Sequence, residues 1–532
     1  MRLTPAILVL LLSAAAAEDA ESPPRFEGAT IGNVSIVRQN VFDTSNAEED
    51  NGLYRLINRL HIMTREKVVT KQLLFAAGEP YKQQLVDESE RILRANKYFF
   101  DASVKGVPRN DGTVDVTVNT RDVWTLGPEL SYSRTGGENK TILGIEEDNL
   151  LGYGQRVLIS RSKDVDRTSN LFEFSDRQWG QSWVSVALRI ADNSDGHSNL
   201  LSIAKPFHAL DARGAAGGFA FDDDRRSALY VLGNEAAEFR HERSNVSAFG
   251  GWSSGLKNGW VRRWTTGVVY DDNRFSAVAD PTLPAVIPAD RKLVYPFIGI
   301  EILEDQFEKS VNSNQMERYE DFYFGTRLSA RLGWSDTEFG ADRDALIYTA
   351  TANRGFGSMA SEALLLTGNI RGRLDSGDLA NATLNVNARF YARQSEKRMF
   401  FASLNATAGQ NLDVDNPIEI GGDTGLRGYP LRYQSGESRI LVSFEQRYFT
   451  DWYPFRLFRV GGAVFFDAGR VYGQDPLDGP KLGWLKDVGL GLRFAPTRLG
   501  TKKVFHLDVA FPLDGDPTIN DVQILFEGKR SF

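Results

Sequence analysis

The sequence predicts a transmembrane antiparallel β-barrel that follows one small α+β domain, and three observations carry this prediction. The first residues read as a secretory leader, no later stretch has 18 consecutive uncharged apolar residues, and most of the chain alternates apolar and polar side chains. A spanning helix needs about 20 apolar residues, whereas barrel strands cross a bilayer without such a run. The 532-residue length and the 49 glycines suit one large, turn-rich architecture.

The leader is predicted at residues 1–17. Arg2 precedes the apolar stretch 6–12, and a row of alanines then separates this stretch from Glu18-Asp19. This order of charge, apolar core and small residues is typical of a secretory signal peptide. The chain has no cysteine, which excludes a disulfide scaffold, thiolate chemistry and a lipidated cysteine anchor. We therefore expect the mature chain outside the cytoplasm.

Residues 26–122 are predicted to form the small domain, with elements in the order β-α-α-β-β. The turn Asn110-Asp111-Gly112 joins the last two strands as a hairpin. The segment 53–60 also has helical apolar spacing, and it lies in a long connection after the first strand. The predicted elements are a strand at 31–37, helices at 64–74 and 83–97, and strands at 102–107 and 113–118.

Residues 123–532 are predicted to form the barrel, with about 16 strands. The segment 384–393 places Leu384 and Val386 on one face and Asn385 and Arg389 on the other. In a soluble β-sandwich the apolar face would cover a dry core, and in a membrane barrel it would face lipid. Alternation alone leaves both readings open. Uninterrupted segments of eight to ten residues favour the barrel, because spanning strands need about 9–11 residues.

A glycine-rich segment is predicted to form an inward loop at residues 420–437. Arg427 lies near its tip, and the later strand 463–469 places Asp467 on the face that would line the lumen. Buried cation and carboxylate pairs gain strength where water is scarce, so Arg427 and Asp467 are expected to hold the loop inward. Gly489, Gly491 and Arg493 share one face of a further strand. That face is nearly bare, and we expect it to accommodate the loop.

These motifs resemble the BamA/TamA superfamily, the bacterial surface antigen family, in which POTRA domains precede a 16-stranded outer-membrane barrel. The resemblance rests on Arg427-Gly428-Tyr429 and on Phe465-Phe466-Asp467-Ala468-Gly469. It extends to Glu445 on the strand after the loop and to the C-terminal Phe532, the expected barrel-assembly signal. The small domain resembles one POTRA domain, and only about 100 residues are available for it before the barrel.

The resemblance implies a factor that assembles outer-membrane proteins or translocates polypeptides. Its POTRA domain would lie in the periplasm and bind unfolded outer-membrane or secreted chains, with periplasmic accessory proteins as further partners. The barrel would sit in the outer-membrane lipid bilayer and open between its first strand, about 124–133, and its last, about 522–532. The alternative is a closed pore or surface-display barrel in which the POTRA domain only aids docking.

No enzymatic activity, cofactor or metal site is expected. Gly251-Trp252-Ser253-Ser254-Gly255 matches the pattern of a nucleophile elbow, but no helix follows it. The five histidines are scattered without metal-ligand spacing. Residues 222–224 and the pair Asp413 and Asp415 are expected to be solvated turns rather than cation sites. The formal charge of -8 argues against nucleic acid as a partner.

Overall fold

The computed structural model of the chain describes residues 26–279 and 281–532. The predicted signal peptide at 1–17 lies outside the described residues. The described chain consists of an N-terminal domain and a barrel, and only Val123, Trp124 and Thr125 separate the last strand of the first from the first strand of the second.

The N-terminal domain is a three-stranded sheet with helices packed against it. Its elements are β1 (Ile31–Gln39), α1 (Gly52–Leu60), α2 (Glu66–Thr70), α3 (Gln83–Arg94), β2 (Phe99–Pro108) and β3 (Val114–Asp122). The sheet order is β1-β3-β2, with β1 parallel and β2 antiparallel to β3. The predicted β-α-α-β-β order is therefore wrong by one helix. Asn51 caps α1 by accepting the Tyr54 N–H, so the long connection after β1 is itself helical.

The core of this domain follows from the alternation of β3. Val114, Val116 and Val118 are fully buried on one face of that central strand. Leu93 of α3 and Val69 of α2 cover this face, and both are fully buried too. Every second residue of β3 therefore packs against residues that recur with helical spacing on one face of α3, as expected where a strand and a helix share one core.

The strands that follow are these, in chain order: β4 (Leu126–Thr135), β5 (Glu138–Glu147), β6 (Arg156–Lys163), β7 (Thr168–Asp176), β8 (Ser185–Asn193), β9 (Gly196–Lys205), β10 (Gly214–Val231), β11 (Asn234–Lys257), β12 (Trp260–Ser276), β13 (Arg291–Glu304), β14 (Phe307–Val311), β15 (Tyr319–Tyr323), β16 (Arg327–Ser335), β17 (Ala345–Gly357), β18 (Glu362–Asp375), β19 (Asp378–Ser395), β20 (Arg398–Gln410), β21 (Ile418–Ile420), β22 (Gln434–Gly436), β23 (Ser438–Phe449), β24 (Phe458–Tyr472), β25 (Leu485–Pro496), β26 (Val504–Pro512) and β27 (Gln523–Lys529). All except β14, β15, β21 and β22 form one closed antiparallel barrel.

The barrel has 20 strands, so the prediction of about 16 is wrong. The estimate failed because it allowed too many residues for each connection, whereas six of the connections between barrel strands contain only two residues. Four of these turns have positive φ at both central positions, which is the geometry of the tight type I′ hairpin. They are Gly136-Gly137, Leu232-Gly233, Asn258-Gly259 and Ser376-Gly377.

The outer face of the barrel carries a belt of exposed aliphatic and aromatic side chains. Ile145 in β5, Val268 in β12 and Leu490 in β25 are each about 60% exposed, and similar residues recur around the wall. A soluble protein does not leave so large an apolar surface in water. This apolar belt therefore favours a membrane barrel over a soluble β-sandwich as the explanation of the alternating sequence.

Among the described helices, none is both long enough and apolar enough to cross a bilayer.

The two ends of the barrel differ in what fills them. We call the end next to the N-terminal domain the near mouth and the opposite end the far mouth. Because the strands alternate in direction, the connection from β13 to β16 lies at the near mouth and the connection from β20 to β23 lies at the far mouth. The first contains the small hairpin β14–β15, which we call the near hairpin. The second, residues 411–437, contains the β21–β22 pair and is the inward loop.

Candidate functional site

The inward loop enters the lumen from the far mouth and buries its own side chains there. Its residues Ile420, Leu426, Tyr429 and Tyr433 are at most 1% exposed and pack with residues of the wall, among them Leu485. The segment begins nine residues before the predicted start at 420, because β20 ends at Gln410. The far mouth is therefore occupied by a packed segment rather than by a solvated hairpin.

Arg427 at the tip of this loop contacts two carboxylates of the wall. Its Nε and Nη2 donate to the two carboxylate oxygens of Asp467 at 2.7 and 2.8 Å, and its Nη1 donates to Glu445 Oε1 at 2.8 Å. Ser443 Oγ donates to Asp467 at 2.6 Å. The structure thus brings together the predicted pair, with the two-pronged geometry that makes arginine–carboxylate contacts strong.

The Arg427 guanidinium also lies on an aromatic face. Its central carbon is 3.4 Å from the ring centroid of Phe465, which precedes Asp467 by two residues on β24 and shares its luminal face. Arg427 is 4% exposed and Asp467 is fully buried. Removing one partner of a buried ion pair costs about 3–5 kcal/mol, because the other charge is left without compensation. The pair therefore strongly favours the loop-in arrangement over any state that separates it.

Glu445 extends the contact toward the near mouth through Arg447, two residues further along the same face of β23. Arg447 Nε donates to Glu445 Oε2 at 2.9 Å, and its Nη1 donates to the backbone oxygen of Ser313 in the near hairpin at 3.0 Å. Arg447 is 2% exposed. We call Arg427, Ser443, Glu445, Arg447 and Asp467 the luminal network. Sequence reasoning missed Arg447, although its two-residue spacing from Glu445 was the available signal.

Gly428 and Tyr429 hold the backbone of the tip against the wall. A Cβ added at Gly428 would lie 2.7 Å from Asp487 Cβ and 3.1 Å from Pro512 N, so only glycine permits this approach. The Tyr429 hydroxyl accepts the Lys486 N–H at 2.9 Å and lies 2.8 Å from the Lys486 oxygen. The predicted Arg-Gly-Tyr motif therefore contacts β24 and β25 through three different kinds of interaction.

Gly489 and Gly491 of the predicted bare strand face wall side chains rather than the loop, although Lys486 and Asp487 of the same strand contact the loop tip. The space beside Gly489 contains the Phe465 ring, and a Cβ there would lie 2.3 Å from it. The space beside Gly491 contains the carboxylate of Asp508, which pairs with Arg493. The expectation of direct contact is wrong for these residues, because the glycines make room for wall side chains. Phe465 in turn supports Arg427, so Gly489 influences the loop through this ring.

Phe532 lies inside the near mouth rather than on the outer wall. It is 2% exposed, and its ring centroid is 4.6 Å from that of Phe449. The same apolar cluster includes Met316 and Phe322 of the near hairpin. The C-terminal aromatic residue thus packs with the segment that fills the near mouth.

The near hairpin also contacts the N-terminal domain. Arg94 of α3 donates through Nε to Asp321 at 3.0 Å, and Lys309 donates to Glu90 of α3 at 2.9 Å. Glu88 of the same helix accepts the Leu210 N–H of the β9–β10 turn at 2.8 Å, and burial raises the pKa of this carboxyl. A continuous set of contacts therefore runs from the inward loop, through the luminal network and the near hairpin, to α3.

Ion pairs fix the base of the inward loop at the far mouth as well. Asp413 accepts both Nη groups of Arg373 at 2.7 Å, and Asp415 accepts those of Arg291 at 2.9 and 2.8 Å. The expectation that Asp413 and Asp415 form a solvated turn is therefore wrong. The loop is held at its base and at its tip, and this arrangement restricts it to one position.

The described residues contain no cluster of His, Asp or Glu side chains placed to hold a metal. The match to the nucleophile-elbow pattern lies within β11, where Ser253 Oγ donates to the Arg262 oxygen at 2.9 Å. A nucleophilic serine needs a base within hydrogen-bond reach, and this hydroxyl is engaged with backbone instead. The geometry of the described site is that of a structural contact network.

Comparison with known proteins bears on the N-terminal domain. Residues 61–121 match the POTRA family, described as a surface antigen variable number repeat. The matched region covers α2, α3, β2 and nearly all of β3, and it leaves α1 outside. This match confirms the predicted resemblance of the small domain to a POTRA domain. No curated protein matches the sequence at a significant level.

Several solved structures are similar to this chain. BamA from Haemophilus ducreyi lacking POTRA domains 1–3 is 11% identical, with 93% of this chain and 83% of that chain covered and a TM-score of 0.37. CdiB from Acinetobacter baumannii is 12% identical, with 93% and 73% covered and a TM-score of 0.45. CdiB from Escherichia coli is 12% identical, with 93% and 76% covered and a TM-score of 0.46. Likenesses at this level do not determine function.

Proposed function

We propose, on the premise that residues 61–121 form a POTRA domain of the surface antigen type, that the protein assembles outer-membrane proteins or translocates polypeptides. The observation that carries the proposal is the direct junction of this POTRA domain to a large barrel with an apolar outer belt. The barrel would lie in the outer membrane, with the near mouth and the POTRA domain on the periplasmic side. The proposed function needs neither a covalent reaction nor a cofactor.

The POTRA sheet offers an edge for an incoming extended chain. On the side of β1 that faces away from β3, Ile31 forms the backbone hydrogen bonds to other elements that the described residues show. Its N–H donates to the Glu79 oxygen, and its oxygen accepts the Gly78 N–H. The edge of β2 is partly used, since Val104 N–H donates to Glu90 and Arg94 donates to the Ala102 oxygen. Strand addition at β1 would bind chains of many sequences, because its hydrogen bonds involve backbone alone.

The barrel closes through a short seam. β27 and β4 share one ladder pair, Phe526 with Arg134, whereas β26 pairs with β27 from Val504 to Ala510. Each missing pair removes backbone hydrogen bonds from the closure, and each bond contributes about 0.5–1.5 kcal/mol. The seam is therefore the place at which the wall opens most readily. A client strand could pair there with β4 or β27, and the free energy of client folding would drive the step.

The luminal network would keep the wall in register while the seam opens. Asp467 and Glu445 lie on β24 and β23, several strands away from β4, and Arg427 joins them across the lumen. Opening at β27 and β4 therefore need not break this network. Clients would be unfolded outer-membrane or secreted polypeptides, and periplasmic accessory proteins are further proposed partners.

The second candidate is a closed pore or surface-display barrel. The observation that favours it is that both mouths are filled, the far one by the inward loop and the near one by Met316 and Phe322 of the near hairpin. In this case the POTRA domain would only aid folding or docking. Such a barrel would have stable properties that do not depend on any client.

A folding assay distinguishes the two. A small unfolded barrel protein is added to liposomes with and without this protein, and its folded fraction is followed by heat-dependent gel mobility. The proposal predicts faster client folding at the same lipid composition. A matched sample contains an unrelated barrel of similar size, which controls for bilayer defects. Equal rates in all samples, for several clients, would support the closed barrel instead.

A further inference from the structure

A large cavity lies where the POTRA domain, the near hairpin and the barrel turns meet. Its volume is about 810 Å³, and its walls come from α3, the near hairpin, the β25–β26 connection and the C-terminal segment. We call it the junction cavity. It is separate from the luminal network, and none of the network residues lines it.

More arginine and lysine side chains than carboxylates line the junction cavity. Nine of these cations stand against four lining carboxylates, and Asp305, Glu90, Asp148 and Glu173 pair with some of the cations from outside the walls. Some of these cations are paired, as Arg94 is with Asp321. Five of them form no ion pair with any described residue: Arg177, Arg318, Lys502, Lys503 and Arg530. Like charges gathered at one site repel each other unless a counter-charge is supplied.

Arg318 is the most deeply buried of these cations. It is 5% exposed, its Nη2 donates to the Leu499 oxygen at 3.1 Å, and its guanidinium lies 5.0 Å from the centroid of the Phe100 ring. Its Nη1 is buried with no hydrogen-bond partner. Burial lowers the pKa of Arg318 to about 10. A buried donor of a charged group that lacks a partner is costly, so a ligand that accepts from it would be bound with a clear gain.

Lys502 faces the same space. Its Nζ donates to the backbone oxygen of Arg94 at 2.7 Å, an uncharged acceptor. Burial, together with the nearby charges of Arg318 and Arg177, lowers the pKa of Lys502 to about 8. Neither buried cation forms a direct ion pair, although the charge of Asp101 acts on Arg318 and that of Asp321 acts on Lys502 from a greater distance.

We propose that the junction cavity binds a phosphate group, supplied by a soluble phosphate or by a lipid headgroup. A carboxylate carries one negative charge, whereas a phosphate monoester carries about 1.5–2 and presents three acceptor oxygens. The five cations that form no ion pair match the second better than the first. Because Arg318 Nη2 already donates to the Leu499 oxygen, Nη1 is the terminal donor of this side chain left for a phosphate oxygen. Bound there, the group would join α3, the near hairpin and the barrel turns.

The test uses the full-length protein in an uncharged, sugar-based detergent. Inorganic pyrophosphate is titrated at constant ionic strength and its binding followed by calorimetry. Phosphatidic acid, whose headgroup is a phosphate monoester, and phosphatidylcholine are compared as headgroup sources by native mass spectrometry. The variants are Arg318→Gln and Lys502→Gln, and the matched control is Arg59→Gln, an exposed arginine of α1 far from the cavity. Folding of each variant is checked by heat-dependent gel mobility.

The proposal predicts one bound phosphate group per chain and affinity at least about tenfold weaker in either cavity variant, as expected for one lost charge-assisted hydrogen bond. Arg59→Gln should bind as the unaltered protein does. Binding of pyrophosphate identifies a soluble ligand, and binding of phosphatidic acid alone identifies a lipid headgroup. If neither binds, if the cavity variants bind equally well, or if only an acidic peptide binds, the proposal is wrong. Should Arg318→Gln fail to fold, Lys502→Gln decides.

Discussion

Replacing Arg427 by methionine tests the luminal network most sharply. The substitution removes the cation while a long apolar side chain still covers the Phe465 ring. Glu445 keeps Arg447 at 2.9 Å, so Asp467 is the carboxylate left without a cation, with Ser443 Oγ as its remaining partner. A buried charge that loses its partner costs about 3–5 kcal/mol, and we expect Arg427→Met to lower the free energy of unfolding by this amount.

A double-mutant cycle separates the cost of the uncompensated Asp467 charge from simple loss of packing. Asp467→Asn in the Arg427→Met background removes the uncompensated charge and should restore much of the lost stability. Unfolding by urea in detergent micelles is followed by tryptophan fluorescence. The matched control is Arg371→Met, an exposed arginine of β18 whose side chain donates to Thr383 Oγ. Losses below about 1 kcal/mol, or losses that simply add in the double mutant, would refute the role assigned to the pair.

Three further predictions follow from other contacts. Gly428→Ala should destabilise the barrel by about 1–3 kcal/mol, the usual range for overpacking. Gly250→Ala is the control and should have no such effect, because its added methyl group meets open space. The two variants are compared by the temperature at which each loses its heat-dependent gel mobility. Arg447→Ala removes the hydrogen bond to the Ser313 oxygen, so the near hairpin should become more sensitive to protease and the conductance of the barrel in a bilayer should rise. If protease sensitivity and conductance both stay unchanged, this contact does not hold the near hairpin in place. The pKa of Lys502 is lowered from 10.5 to about 8 in the folded protein, so the unfolded chain binds more protons between these two pH values. The free energy of unfolding should therefore rise with pH over this range. Unfolding curves measured at several pH values should lose this rise in Lys502→Gln.

The main features of the site could be predicted because they depend on residues that are close together along strands. Asp467 shares a face with Phe465 by the period of two, and the arginine near the tip of the glycine-rich loop is its natural partner. The structure places Arg427 between Asp467 and Glu445. Local patterns of this kind survive in the sequence whatever the number of strands in the barrel.

The remaining features depend on contacts between distant segments. The strands β14 and β15 alternate as barrel strands do, and nothing in a five-residue alternation shows that the pair folds into the near mouth instead of the wall. The role of Arg447 depends on the backbone of Ser313 in that hairpin, which sequence cannot show. The strand count failed for a different reason, since turns such as Leu232-Gly233 do not carry the usual Asn-Gly or Asp-Gly signal.

The measurement that tests the central claim most directly is client folding with the seam closed by a disulfide. The chain has no cysteine, so Arg134→Cys with Phe526→Cys introduces one pair at the seam, and Leu490→Cys with Val509→Cys closes a normal ladder between β25 and β26 as the control. If the protein inserts clients through the seam, oxidation of the first pair should abolish the acceleration of client folding, reduction should restore it, and the control pair should have no effect. Acceleration that persists with the seam oxidised would contradict the account.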